Sequence, residues 1–234
     1  DGDLSEAMLD QQVIPQYKAL VREVTGQDFP ADVQEQLWKA IRAVFDSWNS
    51  KRFREERARE GIPEDWGTAV NVVAMVFGNM GPDSGTGVYF TRDSSTGEKA
   101  PYGEFLFNAQ GEDVVSGRFS TLTIQSLQTT APALYEELLA VGARLEQYYH
   151  DMQDIEFTVE KGKRSLLQVR SGRRTGPAAV KVAVDLVNEG LITREQAIQR
   201  VRASDILQIM SSQVDPKAVV TSIASGAASS YGAE

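Results

Sequence analysis

The sequence of 234 residues contains no cysteine, and His150 is its only histidine. Without cysteine the chain can form neither a disulfide framework nor a thiolate metal site, and a single histidine cannot supply a multi-histidine site. A metal ion bound by this chain must therefore rely on the oxygen atoms of carboxylate, amide or carbonyl groups.

The sequence also lacks an excess of basic residues and any long apolar run. Its formal net charge is −9, which disfavours nucleic-acid binding, because contacts to phosphates need clustered lysine and arginine. No stretch approaches the roughly 20 apolar residues of a membrane span, and the acidic residues 1–4 do not form a signal-peptide pattern. We therefore expect no nucleic-acid partner, no membrane association and a cytoplasmic location.

Periodicity predicts an α+β chain in three parts. Residues 1–62 show the helical spacing of three and four between apolar positions, so we predict a helical subdomain there. Residues 63–200 contain short valine-rich runs and glycine turns, which are typical of a sheet subdomain, and residues 201–234 become small and polar, as in a helical linker. Strands are predicted at 68–77, 87–91, 104–108, 154–160 and 164–170, and helices at 131–150, 175–189 and from Thr193, an N-cap with Gln196 at the capping-box position.

The last two predicted strands read as a hairpin with a three-residue loop, Lys161 to Lys163. If Glu160 pairs with Arg164, the period of two places four polar side chains on one face and the apolar residues on the other. The four are Asp154, Glu156, Gln168 and Arg170. Such a face could hold Mg²⁺ and a phosphate group, or it could be a solvated face with an ion pair between its two outermost members.

Two further segments could contact a nucleotide. Residues 78–87 form a glycine-rich turn that includes Thr86, and such turns can offer backbone N–H groups and a hydroxyl to phosphate oxygens. Residues 108–117 place the adjacent acids Glu112 and Asp113 after a predicted strand. An ordinary hairpin turn and a solvated turn are the respective alternatives.

Several motifs occur together in one order and at family spacing. They include Gly78-Asn79-Met80-Gly81, Asp83-Ser84-Gly85-Thr86-Gly87-Val88, Asn108-Ala109-Gln110-Gly111-Glu112-Asp113 and Asp151-Met152-Gln153-Asp154-Ile155-Glu156-Phe157. From about Trp38 to Ile198 the sequence resembles pyruvate phosphate dikinase.

The resemblance implies part of an ATP-grasp fold, with a helical lobe and an antiparallel-rich sheet lobe. It also implies Mg²⁺ and the family reaction, which converts ATP, phosphate and pyruvate to AMP, pyrophosphate and phosphoenolpyruvate. In that family a histidine on a swivelling domain carries the phosphoryl group to pyruvate at a separate barrel domain, and the enzyme is usually a homodimer. We expect the phosphohistidine and pyruvate-binding domains to lie outside residues 1–234, and this chain alone to be an incomplete catalyst.

The resemblance also implies roles for individual residues. Glu156 and Gln168 match ligands of the metal and the nucleotide, and Arg170 matches a phosphate-contacting arginine. Asp154 is the acid beside them, so Arg170 and Asp154 are expected to be catalytic. The other positions matched to nucleotide binding are Glu112, Thr86 and Gly87.

Some positions depart from the family pattern. His150 lacks the glycine-threonine-serine context of the carrier histidine, so we interpret it as a surface or helix-capping residue. Ser95 replaces a usual proline, and residues 119–123 differ from the family's run, which leaves the conformation of that loop open. A fragment of a phosphoenolpyruvate synthase-like or antibiotic phosphotransferase enzyme, or a non-catalytic binding module that retains the fold, is the alternative interpretation.

Overall fold

The structure is a computed structural model that describes residues 5–211. The chain divides into two compact units, Asp1–Ala74 and Met75–Glu234. The subdomain boundaries expected at residues 62 and 200 stay predictions, and residues 212–234 of the expected linker lie outside the described part of the chain. Helices and antiparallel strands are both present, which confirms the α+β class.

Helices make up the regular structure of the first unit. They are α1 (Glu6–Met8), a π-helical turn (Leu9–Val13), α2 (Ile14–Thr25), α3 (Val33–Ser47) and α4 (Lys51–Glu60). Asp32 and Ser50 begin α3 and α4, because each side chain accepts a hydrogen bond from a backbone N–H group of the first turn. Gly26 and Gly61 end α2 and α4 in the left-handed conformation, at φ 71° and 67°, which glycine adopts without a Cβ clash.

The apolar stripe of α3 contains no buried residue, and its members are exposed or half-buried. Val33, Trp38 and Phe45 all face solvent, and Arg57 is the one buried residue among the described side chains of the first unit. The Arg57 guanidinium donates to the Trp48 carbonyl at 2.5 Å and lies 4.1 Å from the centre of the Trp48 ring, a cation–π arrangement. The apolar positions therefore build no core within residues 5–74.

A five-stranded antiparallel sheet forms the centre of the second unit. Its strands are β1 (Gly85–Phe90), β2 (Tyr102–Phe107), β3 (Leu122–Thr123), β4 (Gln153–Glu160) and β5 (Lys163–Ser171). They are ordered β3-β2-β1-β4-β5, so that β4 lies between β1 and β5. Four of the five predicted strands are thus confirmed to within about two residues, which is the usual uncertainty of strand ends.

The helices of the second unit connect and cover these strands. They are α5 (Gly111–Val115), a 3-10 turn (Ile124–Ser126), α6 (Leu127–Thr130), α7 (Pro132–Tyr149), α8 (Gly176–Asn188), α9 (Arg194–Arg200) and α10 (Ala203–Met210). Thr193 and Gln196 form the predicted capping box of α9. His150 ends α7 in the left-handed conformation, which confirms its interpretation as a capping residue. Every helix within residues 5–211 is too short or too polar to cross a membrane.

One face of the sheet is apolar and packs against α7. Tyr89, Phe105, Ile155 and Phe157 form its centre and are at most 3% exposed, and Leu138 of α7 joins the same cluster. The rings of Phe105 and Phe157 are stacked with their centroids 5.7 Å apart. Because side chains alternate along a strand, the polar residues between these positions lie on the opposite face.

The predicted strand at 68–77 is absent from the sheet. This stretch has no regular secondary structure, and Val72, Val73 and Met75 are exposed. Valine-rich segments favour strands only when a neighbouring strand accepts their backbone hydrogen bonds, and none of the described strands pairs with this segment. The strand prediction is therefore wrong for residues 68–77 in this structure.

A buried charge network joins the connection after β1 to two helices. Arg92 is fully buried and donates to both carboxylate oxygens of Glu146 in α7, at 2.8 and 2.9 Å. It also donates to Glu189 at the end of α8 at 2.9 Å, and Lys99 donates to the same oxygen at 2.7 Å. Partial burial opposes ionisation of Glu189, but these hydrogen bonds outweigh it and lower the pKa of the carboxyl.

Replacing Arg92 tests how much of the fold depends on this network. Arg92→Met should lower the free energy of unfolding by about 3–5 kcal/mol, because Glu146 is left buried without its charge partner. Urea denaturation followed by circular dichroism measures the change. Arg194→Met removes an exposed arginine of α9 and should change the same quantity by less than about 0.5 kcal/mol. Equal effects of the two substitutions would contradict the structural role of Arg92.

Candidate functional site

The polar face of the β4–β5 hairpin brings the predicted cluster together. Asp154 lies opposite Arg170, and Glu156 lies opposite Gln168. All four residues occupy alternate positions of their strands, so their side chains share the face opposite the aromatic core. The predicted register is confirmed at these two pairs.

The hairpin turn is shorter than predicted. Glu160 pairs with Lys163, and the predicted pairing of Glu160 with Arg164 is wrong. The turn consists of Lys161 and Gly162, whose φ angles of 50° and 75° are both left-handed, as a type I′ turn requires. This turn matches the right-handed twist of the strands, which explains why two residues suffice.

A β-bulge restores the register beyond the turn. Phe157 pairs with Leu166, whereas Glu156 pairs with Gln168, so Leu167 is an additional residue on β5. The turn is one residue shorter than predicted, and the bulge adds one residue to β5, so the two differences cancel. As a result, Gln168 stays on the polar face directly opposite Glu156.

Arg170 is held by two carboxylates. Its Nε donates to Asp154 Oδ2 at 2.7 Å, and its Nη2 lies 3.4 Å from Glu156 Oε1. Asp154 is 3% exposed, and its Oδ1 has no hydrogen-bond partner within residues 5–211. The hydrogen bond to Asp154 raises the pKa of Arg170, although partial burial opposes the charge. The buried aspartate therefore fixes the orientation of a guanidinium that is half exposed.

Two oxygen-bearing side chains of this face reach solvent. The Glu156 side chain is 37% exposed, and the Gln168 side chain is exposed and makes no hydrogen bond with any described residue. Residues 5–211 contain no group of three or more acidic or histidine side chains placed to hold a metal ion. Glu156 and Gln168 could supply two oxygen ligands. Two protein ligands suit Mg²⁺, because this ion takes its other ligands from water and substrate phosphates.

Thr86 and Gly87 are explained by packing within the sheet. Thr86 is buried, and its hydroxyl donates to the Phe157 carbonyl at 3.1 Å and lies 3.1 Å from the Thr158 hydroxyl. A Cβ at Gly87 would come within 2.6 Å of the Glu104 carbonyl and 2.9 Å of the Phe157 ring. The predicted contacts of both residues with phosphate stay predictions, because the threonine hydroxyl already has a partner.

Glu112 lies apart from the hairpin cluster along the sheet. It is exposed in the first turn of α5, whereas the neighbouring Asp113 caps that helix by accepting a hydrogen bond from the Gln110 N–H at 2.8 Å. α5 follows the end of β2 at Phe107, three residues beyond the row that contains Glu104, Val88 and Glu156. At roughly 3.3 Å per strand residue, the end of β2 is offset from this row by about 10 Å along the strand direction.

Glycine-rich residues 78–84 are anchored on both sides. Towards the β2–α5 connection, the Ala109 N–H donates to the Gly78 carbonyl at 2.9 Å, and Asn108 Oδ1 accepts from the Gly81 N–H at 3.0 Å. A Cβ at Gly78 would lie 2.2 Å from the Ala109 carbonyl oxygen, so this close approach requires glycine.

The hairpin provides the other anchor of the glycine-rich segment. The Gly162 N–H donates to the Asp83 carbonyl at 2.9 Å, and Glu160 Oε2 accepts from the Phe77 N–H at 2.7 Å. Glu160 and Asn108 therefore position this segment, a role that was not predicted for either residue. Their sequence signals are weak, because both contacts join segments that are distant along the chain.

Comparison with known proteins agrees with the motif resemblance. Residues 29–134 match the family described as pyruvate phosphate dikinase, AMP/ATP-binding domain. The chain is 48% identical to a pyruvate, phosphate dikinase of Rhizobium meliloti (strain 1021) over 100% of this chain and 27% of the relative. It is 46% identical to that of Clostridium symbiosum over 94% of this chain and 25% of the relative.

Plant proteins show the same relationship. A chloroplastic pyruvate, phosphate dikinase 1 of Arabidopsis thaliana is 49% identical over 91% of this chain and 22% of the relative. The chain thus spans about a quarter of the length of the curated relatives it matches. These matches confirm the resemblance of the motifs: this chain is similar to part of the pyruvate phosphate dikinases, which includes their AMP/ATP-binding domain.

Proposed function

We propose that the polar face of the β4–β5 hairpin binds ATP together with Mg²⁺ in the reaction of pyruvate phosphate dikinases. One observation carries this proposal: Glu156 and Gln168 are paired across β4 and β5 with side chains that reach solvent, beside an arginine held by a buried aspartate. The match of residues 29–134 to an AMP/ATP-binding domain supports the same ligand.

The four polar side chains would have different roles, which follow from their chemistry. Glu156 and Gln168 would hold Mg²⁺ through a carboxylate and an amide oxygen, and the ion would neutralise charge on phosphate oxygens. Arg170 has five N–H donors, of which Asp154 takes the one on Nε, so donors remain for a phosphate. Asp154 acts through Arg170, because it keeps the guanidinium in place while charge shifts during phosphoryl transfer.

The nucleotide would extend along the sheet towards α5. The end of β2 is offset from the hairpin cluster by about 10 Å along the strand direction. Such an offset suits a ligand with phosphates at one end and a nucleoside at the other. Glu112 would then contact the nucleoside end. Thr86 and Gly87 would contribute to the nucleotide site by holding β1 beside β4. The Thr86 hydroxyl would not contact the ligand, because it donates to the Phe157 carbonyl.

The complete reaction would need more than this chain. We propose that it converts ATP, phosphate and pyruvate to AMP, pyrophosphate and phosphoenolpyruvate, with residues 1–234 supplying part of an ATP-grasp site. The phosphohistidine carrier and the pyruvate-binding domain would lie in the remaining three quarters of a longer polypeptide, as the length of the relatives suggests. A homodimer and a cytoplasmic location belong to the same proposal.

Titration of ATP in the presence of Mg²⁺ tests the site. We expect this chain to bind ATP weakly. A full-length polypeptide that contains residues 1–234 should bind ATP more tightly. Glu156→Ala and Gln168→Ala should each weaken binding by about tenfold or more, because each removes an oxygen ligand of the metal ion. Gln199→Ala, an exposed glutamine of α9, is the matched control and should bind as the unchanged protein does.

The outcomes separate the competing functions. Equal affinity in all variants would refute the hairpin site. Binding that depends on Glu156 and Gln168, without phosphoryl transfer in the full-length polypeptide, would favour a non-catalytic binding module.

Stability measurements distinguish a ligand residue from a structural one. Gln168→Ala should change the free energy of unfolding by less than about 0.5 kcal/mol, because the glutamine has no partner among the described residues. Arg170→Met should lower it by about 1–3 kcal/mol, because Asp154 is left buried without its donor. Urea denaturation of both variants measures these changes, and a large loss for Gln168→Ala would assign that residue to the fold.

A further inference from the structure

We propose that an arginine-lined cleft beside α8 is a second binding site, which takes a small anion of the phosphate class. The cleft has a volume of about 430 Å³ and lies among the end of α7, the β5–α8 connection, α8 and the α9–α10 region. None of its lining residues belongs to the polar face of the β4–β5 hairpin. The site is therefore separate from the proposed nucleotide site and does not depend on it.

The floor of the cleft is apolar, and its rim is charged. Val182 and Leu186 of α8 form the floor and are each 1% exposed. The charged lining residues are Asp151, Arg173, Arg174, Arg200, Arg202 and Asp205. Four guanidinium groups thus surround a depression with two carboxylates, in a chain whose formal net charge is −9.

Both carboxylates are already engaged. Asp151 accepts hydrogen bonds from Arg174 Nη1 and Nη2 at 2.7 and 2.6 Å, a two-pronged ion pair. Asp205 accepts from Arg202 Nη2 at 3.0 Å and from the Arg202 backbone N–H at 2.9 Å. Burial opposes ionisation of Asp205, but these bonds outweigh it and lower the pKa of the carboxyl. Neither aspartate is available to neutralise the other two arginines.

Arg173 and Arg200 are the surplus positive charges. Both are exposed and line the cleft, and within residues 5–211 no carboxylate lies at ion-pair distance from either. Arg200 Nη1 donates to the His150 carbonyl, a neutral acceptor that orients the guanidinium without cancelling its charge. His150 ends α7 with a left-handed backbone, so the carbonyl that Arg200 contacts lies at the C-terminus of that helix.

This arrangement selects the ligand class. A guanidinium offers paired N–H donors that match two oxygens of a phosphate, and two such groups can neutralise a dianion. A carboxylate or chloride would satisfy fewer of these donors. The volume of the cleft is within the range of small-molecule sites, and the apolar floor could accept the uncharged part of a phosphate ester.

Titration with inorganic phosphate, followed by NMR shifts of backbone amides, tests the proposal on this chain. Saturable shifts should appear at residues 171–174 and 199–203. The double variant Arg173→Gln, Arg200→Gln should weaken phosphate affinity by about tenfold or more, and the corresponding double lysine variant should lose less, because lysine keeps the charge without the paired donors.

Arg194→Gln is the matched control, because it removes an exposed arginine of α9 that does not line the cleft. Its phosphate affinity should equal that of the unchanged protein. Sodium chloride at the same ionic strength should not reproduce the shifts. Unsaturable shifts, or equal phosphate affinity in the double glutamine variant and the Arg194→Gln control, would overturn the proposal.

Discussion

The antiparallel pairing of β4 with β5 is the interaction on which the account of this protein depends. It sets Asp154 opposite Arg170 and Glu156 opposite Gln168, so four polar side chains from two strands act at one place. The pairing is specific because the opposite side of β4 carries Ile155 and Phe157 in the core, and a slip of one residue would exchange the two faces. The same hydrogen bonds that build the sheet therefore also build the candidate site.

Rigid supports surround this pairing on both sides. The aromatic core and α7 hold the apolar face, and Arg92 joins α7 and α8 to the connection that follows β1. At the turn, Gly162 and Glu160 hold the glycine-rich segment next to the sheet. Catalytic and binding groups work best when the residues behind them cannot move, and here strands rather than loops present the key side chains.

Local patterns predicted much of this structure, and non-local contacts account for the differences. Alternation along β4 and β5 gave the face shared by Glu156 and Gln168, and the Thr193 capping box was visible as a short motif. The two-residue turn was missed because nothing in the sequence alone shows that Lys161 adopts a positive φ. Residues 68–77 have the composition of a strand, but strand formation needs a partner, which no described residue provides. The arginine cleft joins residues of five elements, which are α7, β5, α8, α9 and α10, so no single sequence window could reveal it.

The most direct test of the central claim is to locate the metal with Mn²⁺ in place of Mg²⁺. In the presence of ATP, paramagnetic broadening of backbone amide signals should be strongest at residues 155–157 and 167–169. The broadening should decrease towards α5 and should disappear from the hairpin in Glu156→Ala. Broadening centred elsewhere, or unchanged broadening of the hairpin in that variant, would contradict the account.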